Sequence, residues 1–588
     1  MGRQPVDRPP EAVLDALASE TWLDELPAAD RAQVALASDY IALTAGEALF
    51  HQGDRPDGLY RLIAGRLDVV QEDAPGGPRR IGGLRPGMWV GELGLLTGDP
   101  HRNTIRARRD AVLERLDLPA AQALLDQVPR FREALTRDAV RRVASPPREA
   151  TPRVYALVPA SHGAPVRPVA TALLSALGRR AALVGPEDVA DVRDDPAALG
   201  RRLDRIEAES STVLLVAESA DDPWAARVRR SADRVLAIAR AGARRHAPSR
   251  DQDLASTWLL LVHPDDGSRP QETADWRRTW PVPAIHHLRL GRRDDAARIA
   301  RHLTGRAIGL VLGGGAGRGL AHLGVLQAFE EEGVPVDVVV GTSMGAILGA
   351  QIALGRSADT IVDRMRKEWI GGQALDLAMP IVSIARKGPV QRAMRRVVGR
   401  RQFEDLWIPF GCVSTSLRRA RMVTHTRGDL VDAVYASSAL PGVFPPADVD
   451  GDLLVDGAFV DNLPTRLARQ LGASRLVAVN VLPAIDPVFT RPRGMKRVKA
   501  LLRRYAPWSP DRQPLLMDIV LRAYFVPTVL QQDEARAEVD LFLEPPVGGF
   551  GFFDLREKTF EAVVRAGYHE GLRGLRMLRA REPGALSP

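Results

Sequence analysis

Apolar positions along the 588-residue chain fall into three regimes. In "EALFHQGDRPDGLYRLIAGRLDVVQ", residues 47–71, short apolar runs alternate with glycine turns at Gly53, Gly58 and Gly65. That spacing predicts an all-β barrel or jelly roll, and a helical pattern then continues to about residue 144. After the Pro-rich stretch "SPPREATPR" come "VYALVPA", "STVLLVAES", "RVLAIAR" and "TWLLLVHP". These are continuous buried-type runs separated by helical pattern such as 165–179, which predicts a parallel, Rossmann-like α/β layer. From residue 304 strand and helix patterns alternate again. The organisation expected is therefore multidomain: a barrel over 1–144, a linker over 145–152, a middle α/β domain over 153–303 and a second α/β domain over 304–588. A chain of this length exceeds what one hydrophobic core normally holds.

Two glycine-rich turns interrupt the last regime. "LVLGGGAGRGLAHLGVL", residues 310–326, joins an apolar run to a helical pattern. No frame of it supplies the dinucleotide fingerprint G-x-G-x-x-G: from Gly313, Gly315 or Gly317 the last position is Arg318, Leu320 or His322. A Gly-Lys-Ser/Thr ending is also missing, so a P-loop is excluded. Exposed backbone N–H groups at a helix start still suit an anionic reaction intermediate; a plain strand-to-helix turn is the bland alternative. Further on, the β-branched run Val336–Val340 meets a helical pattern from Ala346 through Gly341-Thr342-Ser343-Met344-Gly345. This is G-x-S-x-G in strand–turn–helix context, a nucleophile elbow. The elbow strains the serine backbone and presses its flanking positions together, which only small residues allow. The Met344 amide then points where an oxyanion would form.

A third landmark is "GDLLVDGAFVDNLP", residues 451–464, where Asp456-Gly457-Ala458 turns off a short strand. With it the chain resembles the patatin-like phospholipases over residues 305 to about 575. That family orders an oxyanion loop G-G-G-x-R/K-G, then G-x-S-x-G, then D-G-G/A. The resemblance implies Ser343 as nucleophile and Asp456 as its base, with no metal or other cofactor. It also implies an oxyanion hole from Gly314, Gly315 and the backbone around Gly317 and Arg318, together with Met344. In one departure, Ala316 stands where the family has glycine. This either tilts the loop or marks a position with φ below zero. A free Asp near pKa 3.9 is a poor base for a hydroxyl, so burial must raise it. Asp461, His322 and His425 remain as alternative bases, the two histidines being read as structural.

The N-terminal pattern resembles the cyclic-nucleotide-binding fold through F-x-x-G-D, G-x-L-x-V and G-E-L-x-L-L. The family resemblance implies Glu92 as the residue for the ribose 2′-hydroxyl. The phosphate-neutralising arginine belongs in P-R-x-x-T, but this chain reads Pro100-His101-Arg102-Asn103-Thr104. His101 takes the arginine position and Arg102 is displaced by one, so binding of a cyclic nucleotide is expected to be weak or lost. The middle domain, with no nucleotide motif, is expected to be structural or an interaction surface. Barrel, middle α/β domain and patatin-like domain in this order resemble bacterial relatives of neuropathy target esterase, which implies a lipid or lysophospholipid ester as substrate. The alternative is a nucleotide-sensing or scaffolding protein whose hydrolase domain is inactive.

Composition adds limits. The chain is 45% apolar with a net charge of +8; this permits anionic lipid or nucleic acid without selecting either, and no motif calls for nucleic acid. Cys412 is the one cysteine, so no intrachain disulfide can form and a reducing compartment is expected. The opening residues do not read as a signal peptide and no uncharged run reaches membrane-spanning length, which gives a cytoplasmic expectation. In "RPRGMKRVKALLRRYAPW", residues 491–508, Met495, Val498, Leu502 and Tyr505 recur at near-helical spacing beside five basic residues. That stripe predicts a basic amphipathic helix, either packed on a core or resting peripherally on anionic lipid.

Overall fold

The computed structural model describes residues 4–9, 22–73, 79–144, 154–192, 196–249, 252–370, 387–449, 451–482, 524, 526–552, 554, 556–583 and 586. The stretch 491–508 lies outside them. The chain divides into two compact units, Met1–Val262 with Thr279–Ala284, and His263–Arg278 with Ile285–Pro588.

The first unit begins with the expected jelly roll. Its two long strands, Gly58–Gln71 and Thr104–Asp117, pair antiparallel with three shifts of register. Such bulges bend and twist a strand pair, which lets the sheet curl around a core. Leu59, Leu62, Leu67, Leu113 and Leu116 are fully buried inside it. Asp117 then ends the strand by capping the next helix, Leu118–Gln127, its side chain accepting from Ala120 N at 2.9 Å. The four apolar runs expected as strands of the middle domain are strands. Together with Ala181–Val184 they form parallel neighbours in the order Thr257–His263, Arg234–Arg240, Val154–Pro159, Thr212–Val216, Ala181–Val184. Glu207, on the helix Pro196–Glu209, receives Arg66 at 2.7 Å and Arg109 at 2.8 Å from the barrel.

The second unit is built on a mixed sheet. Its strands run Ala447–Val449, Asp452–Asp456, Phe410–Ser416, Val338–Gly341, Ile308–Leu312, Arg475–Val479, Leu541–Leu543, with Arg421–His425 also on Phe410–Ser416. The strands from Phe410–Ser416 to Leu541–Leu543 are parallel, whereas Asp452–Asp456 joins antiparallel. The parallel strands are largely apolar because helices cover both faces, with Ser414, Thr415, Ser416 and Arg475 as polar exceptions toward strand ends. Every residue of the helix Met344–Ala353 is buried, as expected for a helix that is apolar all round but for Gln351. The helix Arg293–Leu303 precedes the sheet and belongs to the same unit: Arg301 pairs with Asp337.

Candidate active site

Register brings the three landmarks to one edge of the sheet. Gly341 ends its strand opposite Cys412, and Asp456 ends the antiparallel strand opposite Ser414. The neighbouring strand Ile308–Leu312 ends opposite Gly341 and opens into the glycine-rich turn.

Ser343 occupies φ 56°, ψ −121°, a conformation L side chains rarely adopt. The elbow around it is closed: a Cβ on Gly341 would collide with Gly345 O, and one on Gly345 with Leu312 O. The strained peptide is held from the helix Leu430–Ser438. Ser343 N–H donates to Ser437 Oγ at 3.1 Å, and Ser438 Oγ donates to Ser343 O at 3.2 Å. Sequence spacing gave no sign of these two serines, which stand at the end of a mostly apolar helix.

Asp456 is fully buried. Its main chain is fixed by Ala439 O, which accepts from Asp456 N at 3.0 Å, and by Thr415 Oγ1 and Tyr524 Oη, which donate to its carbonyl at 3.0 and 2.8 Å. Oδ1 accepts from Ala458 N at 2.9 Å. Oδ2 has no close hydrogen-bond partner among the described residues, although the Ser343 side chain is near enough to hydrogen-bond the carboxyl more loosely. Loose contacts of this kind are common before substrate tightens a site. Burial pushes the Asp456 carboxyl up to about 7, against the smaller opposing influence of Ser343 and the Ala458 amide.

The alternative bases are engaged with other groups. His322 Nε2 donates to Gly313 O at 2.7 Å, and burial lowers its pKa to about 4. It thus supports the glycine-rich turn from below. His425 Nε2 meets Ser414 Oγ at 2.7 Å and is lowered to about 4 by the same cause. Asp461 is raised to about 6 by burial, and its Oδ1 accepts from Leu463 N at 3.1 Å. None of the three has a hydrogen bond to Ser343 among the described residues.

The five expected oxyanion donors separate into two groups. Gly314 N–H donates to Asn462 Oδ1 at 2.8 Å, Gly317 N–H to Phe552 O at 2.8 Å, and Arg318 N–H to Gly315 O at 3.1 Å. Those three are spent on holding the loop, a correction to the expectation that they face an intermediate. The amides of Gly315 and Met344 donate to no acceptor among the described residues. Nor is the Arg318 side chain directed at a ligand. It is buried, donating to Phe550 O at 2.7 Å and Gly548 O at 3.1 Å, with its guanidinium 4.2 Å from the centre of the Phe552 ring. Ala316 stands at φ 47°, so the alternative of a position with φ below zero does not hold. An apolar wall adjoins these loops: Leu440, Val443, Ala458, Leu482 and Phe552, with Ala316 and Phe444 packed against it.

In the barrel, Glu92 is buried in the first turn of the helix Glu92–Thr97. His101 is also buried, with its ring stacked on Phe50 at 3.6 Å between centroids and 11° between planes. Arg102 is exposed. The slip of one residue that would carry Arg102 inward is opposed by the His101 backbone, which pairs with Gly53 and Asp54 through bonds of 2.8 and 2.9 Å.

Residues 310–469 match the family model of the patatin-like phospholipases, and residues 40–128 that of the cyclic nucleotide-binding domain. The chain carries a patatin-like phospholipase domain behind a cyclic nucleotide-binding domain. It is similar to patatin-like phospholipase domain-containing protein 6 of Homo sapiens, with 30% identity over 92% of this chain and 44% of that protein. It is also similar to lysophospholipase NTE1 of Coccidioides immitis (strain RS), with 27% identity over 96% of this chain and 42% of that protein. The chain thus spans less than half the length of these curated relatives. Among solved structures, the cAMP-bound regulatory domain of Toxoplasma gondii PKA is 23% identical, covering 22% of this chain and 49% of that one with a TM-score of 0.20. No helix among the described residues is long and apolar enough to cross a membrane.

Proposed function

We propose that the chain is a serine acyl hydrolase that cleaves carboxylic esters of phospholipids or lysophospholipids. The observation that carries this reading is the buried Asp456 carboxyl, raised to about 7, next to a serine held in a strained elbow. Ser343 Oγ attacks the ester carbonyl while Asp456 takes its proton. The amides of Gly315 and Met344 stabilise the oxygen that becomes negative, and such donors act strongest where water is excluded. Asp456 then returns the proton to the departing alkoxide, leaving an acyl ester on Ser343. Water, deprotonated by the same carboxylate, attacks that ester, and the serine is regenerated as the fatty acid leaves. A base of pKa near 7 suits an ester, whose leaving group needs less assistance than an amine.

The buried apolar cluster beside Ala316 and Ala458 makes this side of the loops apolar, which supports a lipid over a small polar ester. Relatives named as a lysophospholipase and a patatin-like phospholipase support the same substrate class. The test is labelling of the full chain by a fluorophosphonate probe, with release of fatty acid from lysophosphatidylcholine measured in parallel. Ser343→Ala should abolish both. Absence of labelling in the native chain would favour the alternative of a scaffolding protein with an inactive hydrolase domain.

A further inference from the structure

The connection that carries Asp456 also reaches the two other loops of the site. Asp461 O accepts from Thr342 Oγ1 at 3.2 Å, which ties the connection to the residue before Ser343. Asn462 is buried, 2% exposed, and its Oδ1 accepts the Gly314 N–H at 2.8 Å. Gly314 is gripped between the two loops: a Cβ there would lie 2.8 Å from Asn462 Oδ1 and 2.9 Å from Ser343 Cβ. The peptide that opens the glycine-rich turn therefore cannot rotate while Asn462 holds it. Asn462 Nδ2 also donates to Gly314 O at 3.5 Å, and that carbonyl shares its peptide plane with the Gly315 N–H, which donates to no acceptor among the described residues; the two contacts together set the direction of the Gly315 amide.

We propose that Asn462 is a positioning residue. It holds both the N–H and the carbonyl of Gly314 so that the Gly315 N–H stays aimed at the oxyanion, and it locks this aim to the loop that bears the base. The inference rests on the acyl-hydrolase reading above. Its chemical logic is that a donor contributes to the transition state only if it is oriented before charge develops. A donor left free to turn would be lost at the step where the oxyanion forms, while contacts with the bound acyl chain would be unchanged.

The full-length chain is assayed with a soluble p-nitrophenyl acyl ester, comparing native protein, Asn462→Ala and the isosteric Asn462→Asp, which keeps an acceptor oxygen for Gly314. Expected for Asn462→Ala is a fall in kcat of about ten- to a hundredfold with KM within about twofold, below the loss from deleting an oxyanion donor outright. Asn462→Asp should recover at least about fivefold of that kcat, because it keeps the shorter of the two bonds to Gly314, the one accepted by Oδ1, and loses only the longer one donated by Nδ2. Near-native kcat in Asn462→Ala overturns the proposal, as does equal loss in the two variants or a loss carried by KM. Should Asn462→Ala fail to fold, Asn462→Asp still decides: a hundredfold or greater loss of kcat in that folded, isosteric variant refutes the role of the acceptor. A native chain inert to both the ester and a fluorophosphonate sinks the acyl-hydrolase reading and this inference with it, whereas an active native chain with an unaffected Asn462→Ala sinks this inference alone.

Discussion

Arg301 grips Asp337 through two parallel hydrogen bonds, Nε to Oδ2 at 2.9 Å and Nη2 to Oδ1 at 2.7 Å. Asp337 is fully buried and also accepts from Ile308 N at 2.9 Å. One carboxylate therefore joins the helix Arg293–Leu303 to the starts of two adjacent strands that end at the glycine-rich turn and at the serine elbow. Asp337→Ala leaves a buried guanidinium and a buried amide unpaired, and removing one partner of such a pair typically costs about 3–5 kcal/mol. Denaturant unfolding should show that loss. The double change Arg301→Met with Asp337→Leu, which removes both charges, should lose markedly less.

The same pair shows where sequence reasoning stops. Periodicity places Arg301 on a helix, but it cannot say which sheet the helix serves. The expected boundary at residue 303 puts this helix with the middle domain, yet Arg301 reaches Asp337 and His287 Nε2 reaches Glu404 O at 2.8 Å. The loops of the site were legible because their chemistry is local: glycines, a serine and an aspartate at fixed offsets from strand ends. Their supports were not. Asn462 and Ser437 act across 148 and 94 residues, and nothing in their own neighbourhood marks them. His322 was legible as structural, and its bond to Gly313 O supplies the reason.

With Asp456 as the proposed base, its ionisation should set the pH dependence. The base works only when ionised, and its pKa is raised to about 7 by burial, so kcat should rise with pH and level off above about 8. Stability runs the other way. A carboxyl whose folded pKa lies above its unfolded value favours the folded state when protonated. That contribution is complete below about pH 4 and is lost as pH rises through about 7. Asp456→Asn keeps the site neutral at all pH values. It should abolish ester hydrolysis, by at least about a thousandfold, while raising stability at pH 8 by up to about 4 kcal/mol and changing it little at pH 4. Thermal unfolding of both proteins at the two pH values checks this, and an equal shift at both would refute the linkage.

Ala316 carries strain that glycine would relieve. Its φ of 47° costs an L side chain roughly 1–2 kcal/mol, although glycine returns part of that through the freer unfolded chain. Ala316→Gly should be stabilising by up to about 1 kcal/mol in chemical denaturation. Its methyl group packs against the apolar wall, so the change should also raise KM for long-chain esters more than for short-chain ones. A uniform effect across chain lengths would exclude the wall as the acyl surface.

The barrel keeps its fold, but His101 stands where the family resemblance places the phosphate-neutralising arginine. A buried cyclic phosphate needs its charge neutralised, which arginine does through a planar fork of donors. At that position His101 lies flat on Phe50 inside the barrel, while Arg102 is exposed. Imidazole is largely neutral near pH 7 and offers fewer donors. Losing one charge-assisted hydrogen bond weakens binding by about 1.5–3 kcal/mol, roughly ten- to 150-fold. Glu92, which the family resemblance assigns to the ribose, is buried in its helix turn. Isothermal titration of the full chain should therefore give a dissociation constant for cyclic AMP and cyclic GMP well above about 10 μM. His101→Arg should tighten it by about tenfold or more, because a guanidinium replaces a ring that stacks but does not neutralise charge. Native binding at or below about 10 μM, with no gain from His101→Arg, would mean that the phosphate is neutralised by another residue.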